Sequence, residues 1–162
     1  MNPAPFCLIG IVNVTPDSFS DGGKYIDPRN AVAHGLRLLD EGAGMLDLGA
    51  ESTRPFAEPV PEGEEIARLM PVVARLREQR PDVVLSVDTL KAGTARAALE
   101  GGADIINDVS ACVADPALLD VLAEYKPGYV LMHSQGSPRE MQVNPRYGNV
   151  VEEILAFFEE HL

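Results

Sequence analysis

The chain has 162 residues, 46% of them hydrophobic, which is enough for one core and one domain spanning 1–162. A formal net charge of −12 makes nucleic acid and anionic membranes poor partners, and an anionic ligand needs a cation or local Arg and Lys to offset the acidic field. The amino-terminal residues lack the pattern of a signal peptide, and no run approaches the ~20 apolar residues of a membrane span, so a cytoplasmic location is expected.

Cys7 to Val12 is a short apolar, β-branched run, expected to form a strand buried on both faces. It delivers Asn13 into a polar, Gly-rich loop through Gly23. Asp27 then Pro28 predicts a helix start, with a stripe of Ala31, Val32, Leu36, Leu38 and Leu39 ending at Glu41-Gly42. Met45 to Gly49 is the second strand, followed by a loop from Glu51 through Pro61. The second helix is expected from Glu64 to about Arg80, with Ile66, Leu69, Met70, Val73 and Leu76 facing inward and Pro71 bending or shortening it. Val83–Val87 is the third strand, ending in Asp88-Thr89. A third helix over roughly Lys91–Glu100 closes at Gly101-Gly102. Ile105-Ile106 is the fourth strand, ending in Asn107-Asp108. Asp115-Pro116 is expected to open a fourth helix. Tyr129–Met132 is the fifth strand, ending in His133, and Val150–His161 is a fifth helix.

Five alternations of strand and helix predict a parallel sheet with right-handed crossovers. An open doubly wound sheet gathers its ligand at one switch point. Here Asn13, Thr53, Asp88, Asn107 and His133 follow the carboxyl ends of successive strands, as in a βα barrel. No Gly-x-Gly-x-x-Gly follows a strand, so a dinucleotide site has no support. A complete barrel has eight strands and typically ~250 residues, whereas five are readable here. Five strands cannot close, so open apolar edges are expected around Ile9, Ile11, Val130 and Leu131. The loops 14–23 and 52–61, rich in Gly and Pro, are expected to be mobile without ligand.

The polar residues at the strand ends allow specific chemistry, each with a plainer alternative. Asp88 and Asn107 suit the amino-pyrimidine edge of a flat heterocycle; otherwise Asp88 caps the next helix and Asn107 satisfies turn backbone. The neutral oxygen of Asn13 suits a hard cation such as Mg²⁺; otherwise it accepts turn N–H groups. Thr53 and Arg54 suit phosphate or carboxylate, or Arg54 is a solvated loop cation. His133 is either a base or a packed strand-end residue. Cys7 and Cys112, flanked by apolar residues, read as reduced core residues, and no nucleophile–base signature supports covalent catalysis.

The stretch Gly10-Ile11-Val12-Asn13-Val14-Thr15-Pro16-Asp17-Ser18-Phe19-Ser20-Asp21-Gly22-Gly23 resembles the first signature of the dihydropteroate synthase family. Leu46-Asp47-Leu48-Gly49-Ala50-Glu51-Ser52-Thr53-Arg54-Pro55 resembles the second. Ser86-Val87-Asp88-Thr89, Ala103-Asp104-Ile105-Ile106-Asn107-Asp108 and Val130-Leu131-Met132-His133 resemble the third to fifth strand ends. The resemblance implies a TIM (β/α)8 barrel, of which this chain supplies about the first five βα units. It implies a transferase of alkyl or aryl groups in folate biosynthesis and a sulfonamide target. That enzyme condenses 4-aminobenzoate with 6-hydroxymethyl-7,8-dihydropterin diphosphate, with Mg²⁺, and is a homodimer when full length.

By the same resemblance Asn13 is catalytic and binds the Mg²⁺–diphosphate. Thr53, Asp88, Asn107 and Met132 bind the pterin diphosphate, with Asp88 also catalytic. Phe19, Arg54 and Pro55 close over it and form the aminobenzoate site. Phe56 stands where the family usually has Gly, and the family's later motifs, an Asp-Pro-Gly loop, a Ser-Arg-Lys segment and a terminal Arg-x-His, are absent from the sequence. The isolated chain is therefore expected to be inactive. The alternatives are a methyltetrahydrofolate-binding methyltransferase domain, or a non-catalytic half-barrel that binds only pterin or a partner chain.

Overall fold

The computed structural model describes residues 6–15, 27–51, 59–136 and 144–161. Five strands form one parallel sheet in the order β1-β2-β3-β4-β5: Ile9–Asn13, Met45–Gly49, Val84–Asp88, Ile105–Asp108 and Gly128–Leu131. The strand order never reverses, so the sheet has no doubly wound switch point and follows the sequential order of a βα barrel. Five helices alternate with the strands: α1 (Pro28–Asp40), α2 (Glu62–Gln79), α3 (Ala92–Glu100), α4 (Leu118–Tyr125) and α5 (Val150–His161).

The α1 start is as the sequence predicts: Asp27 accepts from the Arg29 N–H at 2.9 Å, with Pro28 at the first helical position. Its end passes into Gly42 at φ 109°, where a side chain would be strained. The α3 end likewise runs through Gly101 into Gly102 at φ 98°.

Three expectations about helices change. First, α2 runs unbroken through Pro71. Pro71 lies on the exposed side, and the burial of Leu69, Val72, Val73 and Leu76 against the sheet outweighs the missing N–H bond. Second, Ile66 and Met70 are only half-buried, and Glu65 takes the inward position at 1% exposure. Third, α4 begins at Leu118, not at Asp115-Pro116. The Asp115 carboxylate is shared instead: one oxygen accepts from Ala117 N–H at 3.2 Å and the other from Ala92 N–H at 2.8 Å, so it caps α3 from across the loop.

The sheet is two-faced. Val12, Leu46, Leu48, Leu85, Val87 and Ile106 point to the helices and are fully buried. Alternate residues, starting with Ile9, Ile11 and Asn13, line the other face. Ile9 and Ile11 are 55% and 61% exposed, so β1 is not buried on both faces as its apolar run suggested. Val130 on the opposite edge is exposed as well, whereas Leu131 points to the helix side and is half-buried. Cys7, expected in the core, is exposed; Cys112 is buried, and both are free thiols.

Candidate functional site

Parallel register places the strand ends in rows. Asn13, Gly49, Asp88, Asn107 and Val130 form the carboxyl-terminal row on the open face. Beneath it lie Ile11, Asp47, Ser86, Ile105 and Gly128. The side-chain period of two aims both rows at the same side.

Gly49 holds the centre of the upper row open. A Cβ there would sit 3.7 Å from Asp88 Oδ2 and 3.9 Å from Asn13 Oδ1, so the two oxygens converge on the space a side chain would fill. Both are hard donors, and the donor chemistry fits Mg²⁺, which takes one or two protein oxygens and completes its shell with water and phosphate oxygens. Among the described residues no group of three or more His, Cys, Asp or Glu is arranged around a cation. Asn13 Oδ1 and Asp88 Oδ2 are the oxygens that could hold one here.

Asp88 does not cap a helix. The Lys91 N–H donates to Thr89 Oγ1 at 3.2 Å, and Ala92 N–H goes to Asp115. Burial raises the Asp88 pKa to about 7, reinforced by the charges of Asp47, Glu65, Asp108 and Glu51. A ligand that brings donors or positive charge to this row relieves that repulsion.

Asn107 is not spent on turn backbone either. Its Nδ2 donates to Asp47 Oδ2 at 3.0 Å, across the intervening strand β3. The other oxygen of Asp47 is buried without a partner. Sequence reading carried Asp47 only as part of a motif. The available signal was a carboxylate in the middle of the apolar run Met45-Leu46-Asp47-Leu48, where charge is rarely buried without a reason.

A second acidic group stands behind the row. Lys91 Nζ donates to Glu51 and, at 2.7 Å, to the buried Glu65, which also accepts from Thr94 Oγ1 at 3.2 Å. Burial pulls the Lys91 pKa down, but the hydrogen bonds it donates to Glu51 and Glu65 outweigh this and hold the ammonium above its ordinary range. This cluster ties the end of β2, helix α2 and the start of α3 together. No local pattern announces it, because Glu65 and Lys91 are 26 residues apart.

On the helix side, Asp108 is fully buried and saturated. It accepts from Ser110 N–H and Oγ, each at 2.7 Å, from Cys112 N–H, and from Tyr129 OH at 3.0 Å. These bonds hold Ala111 and Cys112 at φ 55° and 60°. Burial pushes the Cys112 thiol up, consistent with a packed rather than a nucleophilic cysteine. His133 is packed too: its ring meets Phe157 edge-on at 4.9 Å and Tyr147 at 5.8 Å. Met132 is half-buried just past β5. Phe19, Thr53, Arg54, Pro55 and Phe56 lie outside the described residues, as do most of the loops 14–23 and 52–61 whose mobility was expected.

Residues 9–162 match the family model described as "Pterin binding enzyme". A dihydropteroate synthase of Mycobacterium leprae is 46% identical over 157 residues, 96% of this chain and 55% of that protein. A solved Yersinia pestis dihydropteroate synthase with a sulfonamide drug superposes with a TM-score of 0.86 at 44% identity, covering 96% of this chain and 56% of that one. The Xanthomonas albilineans enzyme in complex with 7,8-dihydropteroate gives 0.79 at 45%, over 96% and 53%. The chain thus spans about half the length of the relatives it matches. The chain belongs to the pterin binding enzyme family.

Proposed function

We propose that the chain, a 1–162 pterin-binding domain, is the part of a dihydropteroate synthase that carries the first five βα units. The reaction condenses 4-aminobenzoate with 6-hydroxymethyl-7,8-dihydropterin diphosphate. The arylamine nitrogen forms a bond to the pterin methylene carbon, the carbon–oxygen bond to diphosphate breaks, and the amine loses a proton to solvent. The observation that carries this reading is the upper row itself. Asn13 Oδ1 and Asp88 Oδ2 converge over Gly49, and Asn107 lies beside Asp88 on the open face.

Asp88 accepts from the donor edge of the pterin, and as a carboxylate it favours the ring that becomes electron-poor as diphosphate departs. Asn107 holds the same heterocycle in plane, with Met132 lining the pocket. Asn13 would hold Mg²⁺, which when bound would supply positive charge against the leaving diphosphate. Thr53 binds the pterin diphosphate, and Phe19, Arg54 and Pro55 shape the aminobenzoate site and keep water from the reacting carbon. No activated nucleophile is needed, because the arylamine is already nucleophilic. The full-length protein works as a cytoplasmic homodimer on these small molecules, without nucleic acid or membrane.

The exposed Ile9, Ile11 and Val130 support a corollary: the 162 residues by themselves do not turn over, because the open face needs further covering to become a closed pocket. The test is a turnover assay with both substrates and Mg²⁺, on the 162-residue chain and on the full-length protein. Dihydropteroate and diphosphate should form in equal amounts with the latter. A full-length protein that binds pterin but releases no diphosphate would overturn the synthase reading in favour of a binding or methyltransferase domain.

A further inference from the structure

Asp47 is an expensive residue to keep. It sits mid-strand in the row of Ile11 and Ile105, and one of its oxygens is buried without a partner. A carboxylate oxygen buried without a partner lowers stability, and strand pairing does not require it. What it does is hold Asn107: its Oδ2 accepts from Asn107 Nδ2 at 3.0 Å across β3.

That bond fixes which way the amide faces. A carboxylate has only acceptors, so the nitrogen of Asn107 must turn toward Asp47 and the oxygen away from it. Without Asp47 a closer partner is available. Asp88 is registered directly beside Asn107 on the same face, and neighbouring side chains in register lie within reach of each other. The Asn107 nitrogen would then turn to Asp88, and the row would satisfy itself.

We infer that Asp47 is a positioning residue that sets ligand specificity: by drawing the Asn107 nitrogen down into the sheet, it leaves two acceptors, Asp88 and Asn107 Oδ1, side by side for the donor edge of the ligand. This rests on the pterin reading of the site and deepens it. A heterocycle presenting adjacent donors is accepted. One with an acceptor in place of the exocyclic amine leaves buried acceptors facing each other, which is the kind of mismatch that discriminates strongly.

The test uses the full-length protein, with Asp47→Ala and Asp47→Asn as variants. Two probes are titrated by calorimetry: 6-hydroxymethylpterin, and the matching lumazine, which carries an oxo group where the pterin carries its amine. The side-chain amide of Asn107 is followed by ¹⁵N NMR and assigned by its absence in Asn107→Ser. In the parent protein one Asn107 amide proton is shifted downfield and protected from exchange, and the pterin is preferred by about a hundredfold or more. In Asp47→Ala the protection disappears and the preference narrows by about tenfold or more.

A merely structural role would weaken both probes alike and leave their ratio unchanged, and that result overturns the inference. So does a parent Asn107 amide that exchanges like a solvent-exposed one. If the parent binds neither heterocycle, the pterin reading fails, and the Asn107 resonance alone decides the orientation. Should the variants fail to fold, that same parent resonance still decides it.

Discussion

Asp108 and Asp88 are two carboxylates on adjacent strands, and they have opposite fates. Asp108, on the helix side, is fully buried and receives four hydrogen bonds. Asp88, on the open side, receives none among the described residues, and burial raises its pKa to about 7. One has its acceptor capacity spent on the fold, and the other keeps it for something the fold does not supply. A carboxylate repelled by its neighbours and given no protein donor among the described residues stores free energy that a ligand's donors can release. The comparison separates a carboxylate that builds the scaffold from one that the scaffold strains.

The largest expected effect breaks the first half of that contrast. Asp108→Ala leaves the Ser110 and Cys112 N–H groups without their acceptor and frees a loop held at two positive φ values. The expected loss of folding stability is about 3–5 kcal/mol, measured by urea unfolding. A change below about 1 kcal/mol would show that Asp108 is not the scaffold's clamp.

Asp88→Ala should do the reverse. Stability holds or rises, because a repelled charge is removed, while pterin affinity falls by roughly 2–5 kcal/mol. Calorimetry on the full-length protein decides it, and unchanged affinity would remove Asp88 from the site.

How much of this contrast was legible in the sequence depends on how local each signal is. Asn13, Asp88 and Asn107 each interrupt a β-branched run, so their places at strand ends could be read from period and composition. That Asp88 and Asp108 would differ could be read only in part: Asp108 directly follows Asn107, and alternation sends adjacent side chains to opposite faces. The Asp115-Pro116 pair misled because the local cap pattern is sound, but Ala92, 23 residues earlier, recruits the carboxylate. Pro71 misled for a similar reason, since tertiary burial along α2 overrides a local breaker. The bond between Asp47 and Asn107 spans 60 residues and follows from strand order alone, which no window of sequence displays.

The Asp88 pKa also carries a pH dependence. Its folded value of about 7 lies above the ordinary 3.8, so the native state holds a proton that the unfolded state has released between those limits. This contribution is present in full below about pH 4 and is lost as pH rises toward 7, after which it is flat. The full shift would amount to about 4 kcal/mol, and the half-buried position of Asp88 reduces the expectation to about 2 kcal/mol. Other carboxylates titrate in the same window, so the quantity to measure is the stability of Asp88→Asn minus that of the parent. That difference should grow from pH 4 to 7 and then level off. A difference independent of pH would mean that Asp88 ionises normally.

The smallest change sharpens the contrast most. In Gly49→Ala the new Cβ meets Asp88 and Asn13 at 3.7–3.9 Å, ordinary van der Waals distances, and the backbone there does not need a positive φ. The strand should accept it with a stability change within about 0.5 kcal/mol. The methyl nevertheless occupies the space on which Asn13 Oδ1 and Asp88 Oδ2 converge. Any ligand group or cation seated between them is displaced or must tilt, and the cost should be about 1–2 kcal/mol of affinity for the pterin diphosphate with Mg²⁺. The non-phosphorylated pterin, which does not need the Asn13 side of the gap, should lose less. Titration of both ligands into Gly49→Ala separates the two. Equal losses for both would place the gap under the heterocycle, and no loss for either would mean that the convergence over Gly49 is not where the ligand binds.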